Sequence, residues 1–90
     1  MDIETLAVNF ISEVKDRYGN LLEQRYKFTI DSEADSYDIL CEIGRKRGMV
    51  IRGGEIDTER AAVMLMDEYR AGTIGKTTLD TVDEMSEQNA

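Results

Sequence analysis

The 90-residue sequence has no histidine, no proline and one cysteine, and these absences exclude several classes of protein. Without histidine there is no imidazole for metal binding or for acid–base catalysis. Cys41 has no second cysteine to pair with, so an internal disulfide is excluded and a reducing compartment is favoured. No apolar run approaches the roughly 20 residues that span a bilayer. Because Asp2 and Glu4 stand where a secretory signal is basic, we expect a cytoplasmic protein.

The length allows one domain with one modest core, near the lower limit of what folds without disulfides or metals. No internal repeat and no proline marks a boundary within the chain. We predict a single domain over residues 1–79. The remainder, residues 80–90, reads DTVDEMSEQNA, and its polar, acidic composition predicts a disordered tail.

Apolar side chains at the start of the chain recur at spacings of three and four, the period of an amphipathic α-helix. This pattern predicts a helix over residues 3–17, with Asp2 as its N-cap and Gly19 and Asn20 as its end. Residues 21–26 fit a short second helix. The predicted buried stripe of the first helix comprises Ile3, Leu6, Ala7, Phe10, Ile11, Val14 and Tyr18.

Two further helices are predicted in the second half of the chain. One starts near Ser36 and stops at Gly48, and its predicted buried face comprises Tyr37, Leu40, Cys41 and Ile43. The last runs over residues 57–71, with Asp57 as its N-cap and Gly72 as a left-handed stop. Its predicted buried face comprises Ala61, Ala62, Leu65, Met66 and Tyr69.

The apolar stretches that remain, residues 27–30 and residues 49–51, are too short and isolated to build a sheet. We therefore predict an all-α fold, a small bundle of about four or five helices with no substantial sheet.

The net charge of -8 is unevenly distributed along the chain. Residues 1–43 carry ten acids and four bases, and residues 80–90 carry four acids and no base. Residues 44–60 instead hold five bases and three acids. The acidic total weakens a prediction of autonomous nucleic-acid binding, but a local basic patch can still hold phosphates.

A run of bases, Arg45, Lys46 and Arg47, stands at the predicted end of the third helix, and Arg52 lies beyond it beside two glycines. The dipole of a helix favours bases at its C-terminus, but one or two would suffice for that. The larger number indicates contact with a polyanion. Both interpretations stay open on the sequence alone.

Charged residues around the last predicted helix have structural alternatives as well. Asp57 and Glu59 are better explained by N-capping and by the positive end of the helix dipole than by a metal site. Arg60 and Arg70 either pair with nearby acids, such as Asp57 or Asp67, or contact a polyanion.

One short motif resembles part of a nucleotide site. Gly75, Lys76 and Thr77 match the last three residues of a phosphate-binding loop. The first glycine of that motif would stand at position 70, which is Arg70, and no predicted strand precedes it. We therefore predict a turn at residues 75–77, and we identify no catalytic residue and no metal site.

Glycines punctuate the stretch over residues 47–79, which contains the pattern Gly48, Gly53, Gly54, Glu55, Asp57, Arg60, Ala61, Ala62, Tyr69, Arg70, Gly72, Gly75, Thr78 and Leu79. This pattern resembles the C-terminal end of a known family, the circularly permuted bacterial GTPases that assemble the large ribosomal subunit (the ribosome biogenesis GTPase A, or YlqF, family). Residues 17–28, RYGNLLEQRYKF, carry most of the weaker resemblance ahead of it.

The resemblance implies a C-terminal domain that normally follows a covalently attached GTPase domain and docks on ribosomal RNA or on a precursor of the large subunit. It implies no cofactor in this chain, because GTP and magnesium bind in the missing GTPase domain, and no hydrolysis of GTP by this chain alone. We expect a monomer without membrane contact whose affinity for RNA in isolation is weak. The candidate RNA-binding residues are Arg45, Lys46, Arg47, Arg52, Arg60, Arg70 and Lys76, and the candidate turn and cap residues are Gly48, Gly53, Gly54, Asp57 and Gly72.

A second class of function also fits the sequence, a small stand-alone protein-interaction or regulatory module with the same helical fold. Its acidic N-terminal half would then face a basic protein partner. A strip of bases on one surface would favour RNA docking, whereas an exposed apolar groove would favour a protein partner.

Overall fold

A computed structural model describes residues 2–31 and 33–74. This part of the chain contains three α-helices, α1 (Ile3–Tyr26), α2 (Ser36–Lys46) and α3 (Thr58–Arg70), and each packs against the other two. The loop between α2 and α3 contains a three-residue 3₁₀ turn. Within the described residues, the β-type pairing is limited to one isolated antiparallel bridge between Val50 and Ile56. The predicted all-α class is therefore confirmed.

The number of helices is smaller than predicted. We expected a break at Gly19 and a separate helix over residues 21–26, but α1 continues through this segment. Tyr18 leaves the helical region, with φ -128° and ψ 22°, so α1 is kinked at this point. The helix resumes because Leu22 and Tyr26, in its second half, are buried in the core. The prediction of about four or five helices was therefore too high for the described residues.

Each of the three helices begins at an aspartate. Asp2, Asp35 and Asp57 each accept a hydrogen bond from a backbone N–H in the first turn of their helix, at 2.7, 2.7 and 3.1 Å. These N–H groups have no carbonyl partner within the helix, and each such cap contributes about 1 kcal/mol. The acidic side chains thus determine where the helices start.

The ends of α2 and α3 share one backbone motif. After α2, the N–H of Met49 donates to the carbonyl of Gly44 at 2.9 Å, and the N–H of Gly48 donates to the carbonyl of Arg45 at 3.1 Å. This pair of bonds is the Schellman motif, which requires a left-handed residue. Gly48 supplies it with φ 71°, and Gly72 holds the same position after α3 with φ 78°.

The core lies between the three helices and takes apolar side chains from each of them. The rings of Phe10 and Tyr69 join α1 to α3, with their centroids 4.5 Å apart. Leu65, which we predicted to be buried, has no exposed surface. The buried apolar residues are Ala7, Phe10, Ile11, Val14, Leu22, Tyr26, Ile39, Leu40, Ile43, Ala61, Ala62, Leu65, Met66 and Ile74.

Two residues that we predicted in the core are exposed. Leu6 is 36% exposed and Tyr37 is 48% exposed. The inward face of α2 is formed by Ile39, Leu40 and Ile43. Tyr37 lies roughly 100° around the helix from that face. The sequence pattern did not identify Ile39 as a buried residue of this helix.

Gly44 marks a close approach between α2 and the segment that enters α3. A Cβ atom at this position would lie 2.7 Å from Cγ2 of Ile56 and 3.1 Å from Cβ of Ala61. Both distances are shorter than the roughly 3.5–4.0 Å of favourable carbon–carbon contact. The glycine weakens α2 as an isolated helix, but it permits the packing of α2 against α3.

We expect Gly44→Ala to lower the free energy of unfolding by about 1–3 kcal/mol, because the added methyl overpacks the contact with Ile56. This outcome is opposite to the gain of about 1 kcal/mol that alanine brings to an unconstrained helix position. Urea unfolding followed by circular dichroism measures the difference.

Gly19→Ala is the matched control, since a Cβ there would lie 3.5 Å from Cδ1 of Ile30, an ordinary contact. This variant should be neutral or up to about 1 kcal/mol more stable than the wild type. Equal effects of the two substitutions would show that close packing at Gly44 does not limit the helix contact.

Candidate functional site

The candidate functional site is the end of α2 together with the loop that leads to α3. Arg45 and Lys46 lie in the last turn of α2, and Arg47 is its C-cap. Arg45 pairs with Glu42, one turn earlier on the same helix, and keeps 64% of its side chain exposed. Within the described part of the chain, no hydrogen bond or ion pair engages the exposed side chain of Lys46.

The loop over residues 49–57 folds back on itself like a short hairpin. The N–H of Asp57 donates to the carbonyl of Met49 at 2.7 Å, and the N–H of Ile51 donates to the carbonyl of Glu55 at 2.8 Å. Because these bonds close the base of the loop, its tip is presented to solvent on a defined stem.

The tip of the loop consists of Arg52, Gly53 and Gly54, all of them exposed. Gly53 and Gly54 have φ values of 86° and 84°, a conformation that side chains rarely adopt. No partner among residues 2–31 and 33–74 engages the Arg52 side chain. We call Arg45 and Lys46, in the last turn of α2, and Arg52, at the tip of the adjoining loop, the basic surface.

Arg47 is held differently from its two neighbours. Its guanidinium lies 3.4 Å from a carboxylate oxygen of Glu68 and donates to the carbonyl of Arg25 at 3.5 Å. The guanidinium also lies over the ring of Tyr26, 4.8 Å from the ring centroid, in a cation–π contact. RNA binding by Arg47 stays a prediction, and these contacts weaken it because the side chain would have to leave them to reach a phosphate.

Glu68 joins the ends of the three helices in a polar cluster that comprises Arg25, Tyr26, Arg47 and Glu68, the Glu68 cluster. Arg25 donates two hydrogen bonds to the carboxylate, at 3.1 and 3.2 Å, and the hydroxyl of Tyr26 donates one at 2.7 Å. The Glu68 side chain is only 18% exposed. The arrangement therefore places a carboxylate among three donors at the edge of the core.

The pKa values in the Glu68 cluster follow from this geometry. Burial by itself would raise the pKa of Glu68, but the hydrogen bonds from Arg25 and Tyr26 and the charges of Arg47 and Arg25 lower it below its ordinary value. Burial, and the hydrogen bond to Glu68, raise the pKa of the Tyr26 hydroxyl. At neutral pH the cluster therefore consists of a carboxylate, a neutral phenol and two guanidinium groups.

Two other predicted RNA-binding residues, Arg60 and Arg70, lie on α3 and not in the basic surface. Arg60 lies in the first turn of α3, directly after the loop, and its side chain has no partner within the described ranges. Arg70 lies about 15 Å further along α3, where it forms an exposed ion pair with Asp67 at 3.6 Å. Pairing with Asp67 was one of the two alternatives for Arg70.

Several predictions fall on residues that the structure does not describe. Lys76, the predicted turn over residues 75–77 and the predicted tail over residues 80–90 all lie outside the described ranges.

Metal binding and thiol chemistry find little support in the described residues. None of them form a group of three or more carboxylate, cysteine or histidine side chains that could hold a metal ion. Burial raises the pKa of the Cys41 thiol, which disfavours the nucleophilic thiolate. A search of the same residues finds no helix with the length and apolar character needed to cross a membrane.

The Glu68 cluster was missed by sequence reasoning. Glu68 is 21 residues from Arg47 and 43 from Arg25, so no local spacing connects them. The surplus of bases at the end of α2 was the one available signal, and it did not distinguish Arg47 from its neighbours. The fold instead engages Arg47 with a carboxylate on another helix.

Comparison with known proteins identifies relatives, although no protein-family model matches the chain. The chain is 30% identical over 88 residues to the ribosome biogenesis GTPase A of Bacillus cereus. It is 30% identical over 83 residues to the protein of the same name in Priestia megaterium. The resemblance to the ribosome biogenesis GTPase A family is thereby confirmed. A third relative, 30% identical over 74 residues, is an uncharacterised GTP-binding protein of Methanocaldococcus jannaschii.

The chain spans less than a third of the length of these relatives. The alignments cover 98%, 92% and 82% of this chain but only 29%, 27% and 19% of the three proteins. A match of this extent corresponds to one domain, and it is consistent with the C-terminal domain of the ribosome biogenesis GTPase A family.

We expect Glu68→Gln to lower the free energy of unfolding by about 1–3 kcal/mol near pH 7, because the variant cannot form the charged hydrogen bonds to Arg25 and Arg47. The folded-state pKa of Glu68 lies below its ordinary value of 4.5. The stabilisation is therefore complete above that value and disappears as the pH falls through the folded-state pKa. Denaturant unfolding at a series of pH values should show the two proteins converging in acid.

Asp67→Asn is the control for this experiment, since it removes a carboxylate from the same helix and breaks an exposed ion pair. This change should cost less than about 0.5 kcal/mol. If the difference in the free energy of unfolding between wild type and Glu68→Gln does not change with pH, the charge of the carboxylate is not what stabilises the cluster.

Proposed function

We propose that this chain is the RNA-docking domain of a GTPase that assembles the large ribosomal subunit. In this role it contributes phosphate contacts and orientation, and the chemistry takes place in a separate GTPase domain. The relatives carry names that specify ribosome biogenesis and GTP binding, and the chain matches one domain of them.

The observation that carries the proposal is that three bases, at the end of α2 and at the tip of the loop that follows it, keep their side chains exposed. Lys46 and Arg52 have no partner in the described ranges, and Arg45 has an exposed pair with a residue on its own helix. A cation that is already engaged in an ion pair and a cation–π contact is a poorer phosphate ligand than a free one, which can release counterions from the nucleic acid on binding. Arg47 differs from these three, because it contacts Glu68 and Tyr26 on other helices.

The acidic remainder of the chain predicts that this docking is weak when the domain is isolated. Electrostatic repulsion from the other residues opposes approach to a polyanion. The basic surface then acts as a local contact that orients the domain, and the affinity of the whole protein depends on further contacts outside this chain.

A protein-docking function has one specific observation in its favour. Val63 is 44% exposed on the outer side of α3 and lines a shallow groove together with Met64, Arg60 and Asp67. An amphipathic partner could cover this groove. The basic surface is not part of it, so the two functions are distinguishable by substitution.

We expect the double variant Lys46→Gln, Arg52→Gln to bind ribosomal RNA more weakly than the wild type. The logarithm of the affinity should also depend less steeply on the logarithm of the salt concentration, by about 0.9 for each duplex phosphate that the variant no longer neutralises. Fluorescence anisotropy with labelled fragments of large-subunit RNA at several salt concentrations measures both quantities.

The matched control is Arg17→Gln, Lys27→Gln, which removes the same charge from exposed positions on α1 and its C-cap. Each substitution should cost less than about 0.5 kcal/mol of stability. If both double variants reduce the salt dependence equally, the effect is due to net charge and the basic surface is not the docking site.

We expect titration of GTP or GDP with magnesium into the isolated chain to produce no saturable heat in calorimetry, because the proposed role places the nucleotide in another domain. The same titration with the full-length relative from Bacillus cereus is the positive control. Saturable binding by this chain would show that it contains a nucleotide site and would contradict the non-catalytic role.

A further inference from the structure

Two exposed aliphatic side chains lie next to the basic surface. Val50 and Ile51 are 47% and 45% exposed and directly precede Arg52 in the loop. Ile56, across the bridge from Val50, is half-buried and faces Gly44 of α2. The loop thus packs Ile56 against α2 and leaves two other aliphatic side chains exposed in the residues that lead to its tip.

Phosphate binding does not account for these two side chains. Phosphate oxygens are contacted by cations and by N–H or O–H donors. Aliphatic side chains gain free energy when they leave water for another apolar surface. In a nucleic acid, such a surface is formed by sugars and base edges within a groove, so the composition of the tip fits contact with a groove as well as with the backbone.

The composition of the loop also indicates whether it would bind single-stranded or duplex RNA. Proteins that read single strands stack the unpaired bases on aromatic side chains, and residues 49–57 contain no aromatic residue. In duplex RNA the major groove is too deep and narrow for side chains, whereas the minor groove is wide and shallow. A short loop with two aliphatic side chains and one cation suits the minor groove.

The glycines at the tip fit the same geometry. No atom of the described residues lies within 4 Å of a Cβ placed at Gly53 or Gly54, so the space around them is open. Their left-handed φ values explain why glycine stands there. The absence of side chains also lets an RNA backbone approach the tip closely.

We propose that the loop over residues 49–57 docks in the minor groove of an A-form RNA duplex, with Val50 and Ile51 against the sugars and base edges and Arg52 on a flanking phosphate. This inference rests on the proposed function and specifies the form of RNA and the residues that enter it. The charge of Arg45, Lys46 and Arg52 supplies the attraction to the backbone, and the two aliphatic side chains supply a contact that salt does not screen.

The test measures binding of the full chain by fluorescence anisotropy to an RNA duplex of about 16 base pairs, to its separate strands and to a DNA duplex of the same sequence. The wild type should bind the RNA duplex several-fold tighter than either alternative. Ile51→Ser should lower the affinity for the RNA duplex about fivefold. Its salt dependence should match that of the wild type, because no phosphate contact is removed.

The matched control is Val63→Ser, which removes an aliphatic side chain of nearly equal exposure, 44%, from the outer side of α3. It should leave RNA binding unchanged. Val50→Thr provides a second variant of the loop that keeps the branched side chain, and it should weaken RNA binding in the same way as Ile51→Ser. Circular dichroism checks that each variant is folded.

The outcomes separate this inference from the proposed function. Absence of salt-dependent binding to any RNA by the wild type would overturn both. If the wild type binds RNA and the two loop variants bind equally well, the basic surface docks on phosphates alone and the groove contact is wrong. Tighter binding to the single strands than to the duplex would also overturn the inference and leave the proposed function standing.

Discussion

The carboxylate of Glu68 is the interaction that fixes the end of the molecule where the basic surface lies. From α3 it holds Arg25 and Tyr26 at the end of α1 and Arg47 at the C-cap of α2. A partly buried carboxylate with a single partner would be costly, but several donors satisfy its oxygens and lower its pKa. The end of α2 is therefore anchored by one arginine, while Arg45 pairs within its own helix and Lys46 has no partner in the described ranges.

A second constraint sets the position of the loop. Because Gly44 has no side chain, α2 lies close to Ile56 and Ala61, and Ile56 enters the space beside the core. The loop is closed at its base by two backbone hydrogen bonds. Val50 and Ile51 stay exposed, and Arg52 lies at the exposed tip. The contact of Ile56 with Gly44 and the two backbone hydrogen bonds thus fix the base of the loop against α2.

The distribution of charge has a consequence for how such a domain works. An acidic chain with a small basic surface binds a polyanion weakly and depends strongly on salt. Under the proposed function, in which the domain is joined to a GTPase domain with contacts of its own, the second contact becomes intramolecular, and weak sites of this kind add to a strong total affinity. The short span of the match to the relatives is compatible with that arrangement.

The sequence by itself determined the helical class, the aspartate that starts α1, the glycine that follows α2 and the burial of Leu65, because each depends on local backbone chemistry or on a period of apolar residues. It also indicated the family through the pattern in its second half. It did not reveal that α1 continues past Gly19, since glycine allows a helix to end or to continue and core packing decides which.

Tertiary structure alone decided which of the bases is held within the fold. Arg45, Lys46 and Arg47 are adjacent in sequence and chemically alike, so no local signal separates them. The partner of Arg47 lies 21 residues away on another helix, and only the packing of the helices brings it within reach. The exposure of Val50 and Ile51 was likewise decided by the fold of the loop, because the apolar character of these residues by itself favours burial.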